Sequence, residues 1–214
     1  MNDFQYKKVN QNTEWSKTMF QKLGFSSKQF LFWVFANILG FGVFGTAILI
    51  FPSLLSISSV VVTILIITIP ISFAQWIVLR RMLKTSILWI LTIPIGMPLG
   101  FLVIQLIPDG VWQVVDDESI ATLTALYFLI GLVIGLLQWL ILRHQLSKSS
   151  IWLFGSSISV AAGFWIILVT DLVNQSGIIS YIVGGLVYSI VTGLILSGLL
   201  AYHNQSRINL INAT

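Results

Sequence analysis

The sequence predicts an all-α integral membrane protein: six transmembrane helices in three tandem parallel helical hairpins, with the N- and C-termini cytoplasmic. Three observations lead there. The 214 residues are 57% hydrophobic and 8% charged, with mean hydropathy +0.95, which leaves too little polar surface to coat a water-soluble globule. Gln75-Trp76-Ile77-Val78-Leu79-Arg80 returns 63 positions later as Gln138-Trp139-Leu140-Ile141-Leu142-Arg143, each copy closing a long apolar run and opening a short basic loop. All 11 lysines and arginines fall in the N-terminal segment, the C-terminal tail and the second and fourth connections, and the connections between them carry acids and no base.

The elements follow in order. Residues 1–28 are polar and lysine-bearing, without the apolar core and small-residue cleavage site of a secretory signal, so the first membrane helix is expected to act as its own uncleaved insertion signal. Within them Trp15, Met19, Phe20 and Leu23 share a helical face opposite Lys17 and Lys22. That pattern fits a short amphipathic helix on the cytoplasmic leaflet, with an unstructured tail as the alternative. Residues 29–203 form the membrane domain, with hairpins at about 29–81, 82–144 and 145–203. Its spans are Phe30–Phe51, Val60–Leu79, Ile87–Ile107, Ile120–Leu142, Ile151–Val173 and Ile178–Tyr202, each long enough for about 30 Å of hydrocarbon at about 1.5 Å per residue. Pro70, Pro94 and Pro98 predict kinks in the second and third helices, tolerated where neighbours re-satisfy the freed carbonyls. Residues 204–214 are read as a cytoplasmic tail.

Orientation follows from charge. Lys7, Lys8, Lys17, Lys22, Lys28, Arg80, Arg81, Lys84, Arg143, Lys148 and Arg207 lie on one side, which the positive-inside rule makes cytoplasmic. Asp109, Asp116, Asp117, Glu118 and Asp171 lie on the other. The net charge of +4 is spread along a membrane face, so anionic headgroups are the expected partner and nucleic acid is not.

Each odd-numbered helix starts near a tryptophan: Trp33, Trp89 or Trp152. Counting three, seven and eleven residues on gives Ala36, Gly40 and Phe44, then Thr92, Gly96 and Gly100, then Gly155, Ser159 and Gly163. Helix four adds Gly131 and Gly135, and helix six adds Gly185, Ser189, Gly193, Ser197 and Ala201. Spacing by four places each set on one face, where small residues let backbones approach closely. The third copy diverges: aligning Gly193 with Gly135 puts Leu196 where glutamine stood.

In the repeated element Trp76 and Arg80, like Trp139 and Arg143, are four apart on one helix face. The indole belongs at headgroup level with the guanidinium above it, a cation–π pair worth roughly 0.5–2 kcal/mol. Gln75 and Gln138 sit one residue further in, where an amide needs a partner on a neighbouring helix. An interface anchor with an interhelical bond accounts for every residue type here. Intramembrane polar groups are also candidate sites, so Gln75, Trp76, Arg80, Gln138, Trp139 and Arg143 are candidate lipid- or partner-binding residues.

No catalytic, cofactor or metal site is expected. Asp109, Asp116, Asp117 and Glu118 lack the spaced oxygen ligands and central glycine of a calcium loop and suit the capping of helix four instead. His144 and His203 stand at helix ends without a second ligand at metal spacing. The spans lack the histidines and paired acids that intramembrane proteases and lipid phosphatases use, and the chain has no cysteine.

A tryptophan-initiated helix with spaced glycines, followed by a hairpin ending in Gln-Trp-x-x-Leu-Arg, resembles a group of uncharacterised bacterial multi-pass membrane proteins common in cyanobacteria and Chloroflexi. The match covers about residues 30–165, is best over Gln75 to Gly100 and Gln138 to Gly163, and weakens in the last hairpin. It implies a multi-pass protein of the bacterial inner membrane and no particular activity. The expected function is a non-catalytic accessory subunit that binds lipid or a membrane protein partner. The alternative is a transport component capturing a small molecule, with Asn37, Gln105, Gln75 and Gln138 lining its pocket.

Overall fold

A computed structural model describes residues 26–50, 57–108, 120–174 and 177–212, and these residues form helices and short connections without a strand. The helices are α1 (Ser27–Ile50), α2 (Ile57–Leu79), α3 (Trp89–Gln105), α4 (Ile120–Leu142), α5 (Ser150–Asn174) and α6 (Ile178–Asn212). Four contain stretches long and apolar enough to cross a membrane: Ser27–Ala47, Ala121–Leu142, Ser150–Thr170 and Ile178–Ser206. Thr68–Leu79 and Trp89–Gln105 are shorter apolar stretches. The amphipathic segment expected around Trp15 and the acidic cluster at Asp109 to Glu118 lie outside the described residues.

Local chemistry sets the ends. Ser26 and Gln29 form a capping box at the start of α1: the Ser26 N–H donates to Gln29 Oε1 at 3.0 Å and the Gln29 N–H to Ser26 Oγ at 3.2 Å. Helix α3 is shorter than the 21-residue span predicted for it, because Ile87 and Leu88 are used in the turn that leads into Trp89 and the helix stops at Gln105. Its 17 residues reach about 25 Å. Helix α6 is longer than expected. No glycine or proline follows Tyr202, so the segment read as a tail continues the helix to Asn212, for 35 residues in all. Pro70, Pro94 and Pro98 are carried inside α2 and α3.

Each helix packs against its neighbours in the chain and α6 packs against α1, so the six close into a ring. Small residues decide how close they come. A Cβ added to Gly100 would meet the Ile130 Cα at 2.9 Å, one on Gly131 the Ser157 Cα at 2.8 Å, and one on Gly163 the Gly184 carbonyl oxygen at 3.0 Å. Glycines on the odd helices α3 and α5 thus face the even helix that follows. Those on α4 face α5, whereas on α6 Gly184 faces α5 and Gly185 and Gly193 face α1, Gly193 lying under Phe30 and Trp33. The partition of residue types is that of a lipid-solvated bundle. Asn37, Ser72, Gln75, Gln138 and Ser156 are completely buried, whereas Leu31, Phe35, Phe154 and Ile158 are each more than half exposed.

Candidate functional site

At one end of the ring the starting tryptophans of the odd helices converge. Trp152 lies between the others, its ring centroid 6.4 Å from Trp33 and 6.1 Å from Trp89 in tilted and edge-on arrangements, and all three are fully buried. Val78, Leu79, Leu142, Leu146, Leu196, Leu199 and Leu200 complete this cluster.

Beside it runs a hydrogen-bonded network that uses both predicted glutamines. Gln75 of α2 donates through Nε2 to Asn37 Oδ1 of α1 at 2.6 Å and accepts the Trp89 indole N–H of α3 on Oε1 at 3.3 Å. Gln138 of α4 repeats the pattern: Nε2 donates to Thr92 Oγ1 of α3 at 3.4 Å, and Oε1 accepts the Trp152 indole N–H of α5 at 2.9 Å. Each amide therefore joins three helices. Asn37 Nδ2 returns to the Trp33 carbonyl at 2.7 Å and Thr92 Oγ1 to that of Trp89 at 2.8 Å. Removing one partner would strand a buried polar group, so the network specifies which helices adjoin.

The third unit closes the ring with different chemistry. Leu196 is buried where the third glutamine would stand, and the Trp33 indole donates instead to Thr192 Oγ1 at 3.0 Å, one helical turn earlier on α6. Ser156 follows Trp152 by four residues as Asn37 follows Trp33, yet its buried hydroxyl has no partner. The Ser156 Cβ faces Gly135 of α4, whose lack of a side chain leaves that hydroxyl neither donor nor acceptor there. Sequence reading missed Thr192. Its only signal was that Trp33, as a third starting tryptophan, needs an acceptor.

The connections after α2 and α4 have the same backbone bonds at the same offset. Arg80 N–H to the Trp76 carbonyl and Arg143 N–H to that of Trp139 both measure 2.8 Å, and Leu83 to Leu79 and Leu146 to Leu142 match within 0.1 Å. This geometry turns the arginines outward. The Arg80 guanidinium lies 4.7 Å from the Trp76 ring centroid and that of Arg143 5.5 Å from Trp139, both arginines being exposed and both tryptophans half-buried. Lys148, at φ 59°, places its ammonium 4.2 Å from the Tyr202 ring and so ties the second connection to α6.

The remaining candidates are dispersed. Gln105 ends α3 and is exposed, whereas Asn37, Gln75 and Gln138 are consumed in the internal network. An apolar cavity of about 50 Å³ is lined by all six helices, through Phe41, Ile71, Met97, Ile134, Phe164 and Tyr188, and none of the four predicted amides lines it. At on the order of 10–15 Å³ per water it has room for a few waters and not for a metabolite-sized ligand. Among the described residues no three His, Asp or Glu side chains gather at metal spacing, but His144 and His203, far apart in sequence, line a common depression at the tryptophan end. Comparison of the chain with protein-family models, with curated proteins and with solved structures finds no match.

Proposed function

We propose that the protein is a non-catalytic multi-pass protein of the bacterial inner membrane, with six spanning helices in three tandem hairpins, that acts as a lipid- or partner-binding accessory subunit. Both termini and the connections holding Arg80 and Arg143 face the cytoplasm. One observation carries the reading: the repeated element divides between two tasks. Its glutamine is spent inside, bridging three helices, while its Trp–Arg pair is presented outward at the same end of the bundle in both copies. A cation stacked on a half-buried indole is suited to the interface, where anionic headgroups or an acidic partner surface meet it.

The transport alternative needs free amides around a substrate-sized space. The buried amides are already hydrogen-bonded and the axial cavity is small and apolar, which favours the accessory reading.

Two outcomes test this. In a chain without native cysteine, Ser86→Cys is expected to react with a membrane-impermeant maleimide only after cells are opened; labelling of intact cells would reverse the topology. Purification in mild detergent followed by native mass spectrometry should show an anionic lipid or a protein retained by the wild type. The Arg80→Lys/Arg143→Lys variant, which stays cationic, should keep both that ligand and a stability within about 0.5 kcal/mol, and Arg80→Gln/Arg143→Gln should lose the ligand. A wild type that retains nothing refutes the binding role. Loss in the lysine variant alone would instead mean that the bidentate guanidinium grips a phosphate or carboxylate.

A further inference from the structure

The tryptophan end is not flat. Above the cluster opens a vestibule of about 650 Å³, within the range of roughly 300–1,000 Å³ typical of small-molecule sites. Its floor is apolar: Met82 and Leu83 pack on the tryptophan cluster and Leu200 belongs to it. Its walls are polar and come from both connections, from the start of α1 and from α6, contributing Lys84, His144, Gln145, Gln29, His203 and Asn204.

These walls offer donors. Gln29 Oε1 is taken by the Ser26 N–H, which leaves its amide N–H groups. The Arg143 Nε–H donates to His144 Nε2 at 3.2 Å, which leaves Nδ1 as that ring's N–H donor. Lys84 brings an ammonium, and its backbone is held by Gln145, whose Nε2 donates to the Lys84 carbonyl at 3.2 Å. No aspartate or glutamate occurs in residues 26–30, 80–88, 143–149 or 199–206, the stretches that build the vestibule. A concave, carboxylate-free wall of cationic and amide donors over an apolar floor matches an anion attached to a small organic group.

We propose that the vestibule binds a phosphate ester, its phosphate held by Lys84, His203 and His144 and its organic part resting on Met82, Leu83 and Leu200. Neither Arg80 nor Arg143 lines the vestibule, and Arg143 bears on it only through its hydrogen bond to His144. The same chemistry is available from the headgroup of an anionic phospholipid and from a soluble phosphorylated metabolite.

Full-length protein in phosphatidylcholine nanodiscs, titrated with glycerol 1-phosphate and followed by thermal shift, tests the soluble source. Native mass spectrometry of protein exchanged with phosphatidylglycerol tests the lipid source. In one arm the wild type should bind, Lys84→Gln should bind about tenfold more weakly, and Asn204→Asp, which puts a carboxylate into the wall, should abolish binding. Arg81→Gln, which removes one charge outside the vestibule, should bind as the wild type does. The proposal is overturned if the wild type binds neither probe, or if Arg81→Gln weakens binding as much as Lys84→Gln. Should Lys84→Gln not fold, Asn204→Asp at its exposed position decides by the same comparison.

Discussion

Trp152→Ala is expected to cost about 3–5 kcal/mol, the usual range for truncating a large aromatic in a core that cannot collapse. Trp152 touches both other starting tryptophans, so its loss opens a cavity on which three odd helices converge. It also strips Gln138 Oε1 of its indole donor at a fully buried position. Trp152→Phe separates the two contributions. It keeps most of the ring and removes only the N–H, and interhelical hydrogen bonds in membranes average about 0.6 kcal/mol, so its cost should be a small fraction of the alanine value. Denaturation in detergent, followed by helical circular dichroism, measures both. Equal costs for the two variants would mean that the hydrogen bond, not the packing, holds this end together.

Gly135→Leu should be strongly destabilising, at about 1–3 kcal/mol or more. Even a Cβ there would lie 2.9 Å from the Leu153 carbonyl oxygen and 3.0 Å from the Ser156 Cβ, and backbone cannot swing aside as a side chain does. The remaining leucine atoms would force α4 from α5, which carries the Gln138–Trp152 bond along the same seam. Gly198 supplies the control: nothing lies within 4 Å of its added Cβ, so Gly198→Ala should be neutral or stabilising. Comparable melting temperatures for Gly135→Leu and wild type would contradict the close approach of these two helices.

Much of the candidate site was legible because its chemistry is local. Trp76 and Arg80 share a helix face by spacing alone, and the cation–π pairs follow wherever the helices go. The need of Gln75 and Gln138 for partners was equally plain, since an amide one residue further into an apolar run has no water to satisfy it. Their partners were not legible. Asn37 and Thr92 come from other helices, and only ring closure brings Trp33 to Thr192 across 159 residues. The two histidines look isolated in sequence for the same reason.

Composition, periodicity and charge by themselves determined an all-helical, lipid-suited chain, the approximate place of each helix and the small-residue faces, because these depend on side-chain type and on the fixed geometry of one helix. Tertiary structure alone decided that α6 meets α1, that three tryptophans share one cluster and that a donor-lined vestibule opens above it. Those features arise from approach between distant segments, where a methyl group at Gly135 or an amide in place of Leu196 changes which surfaces fit, and no local pattern encodes that choice.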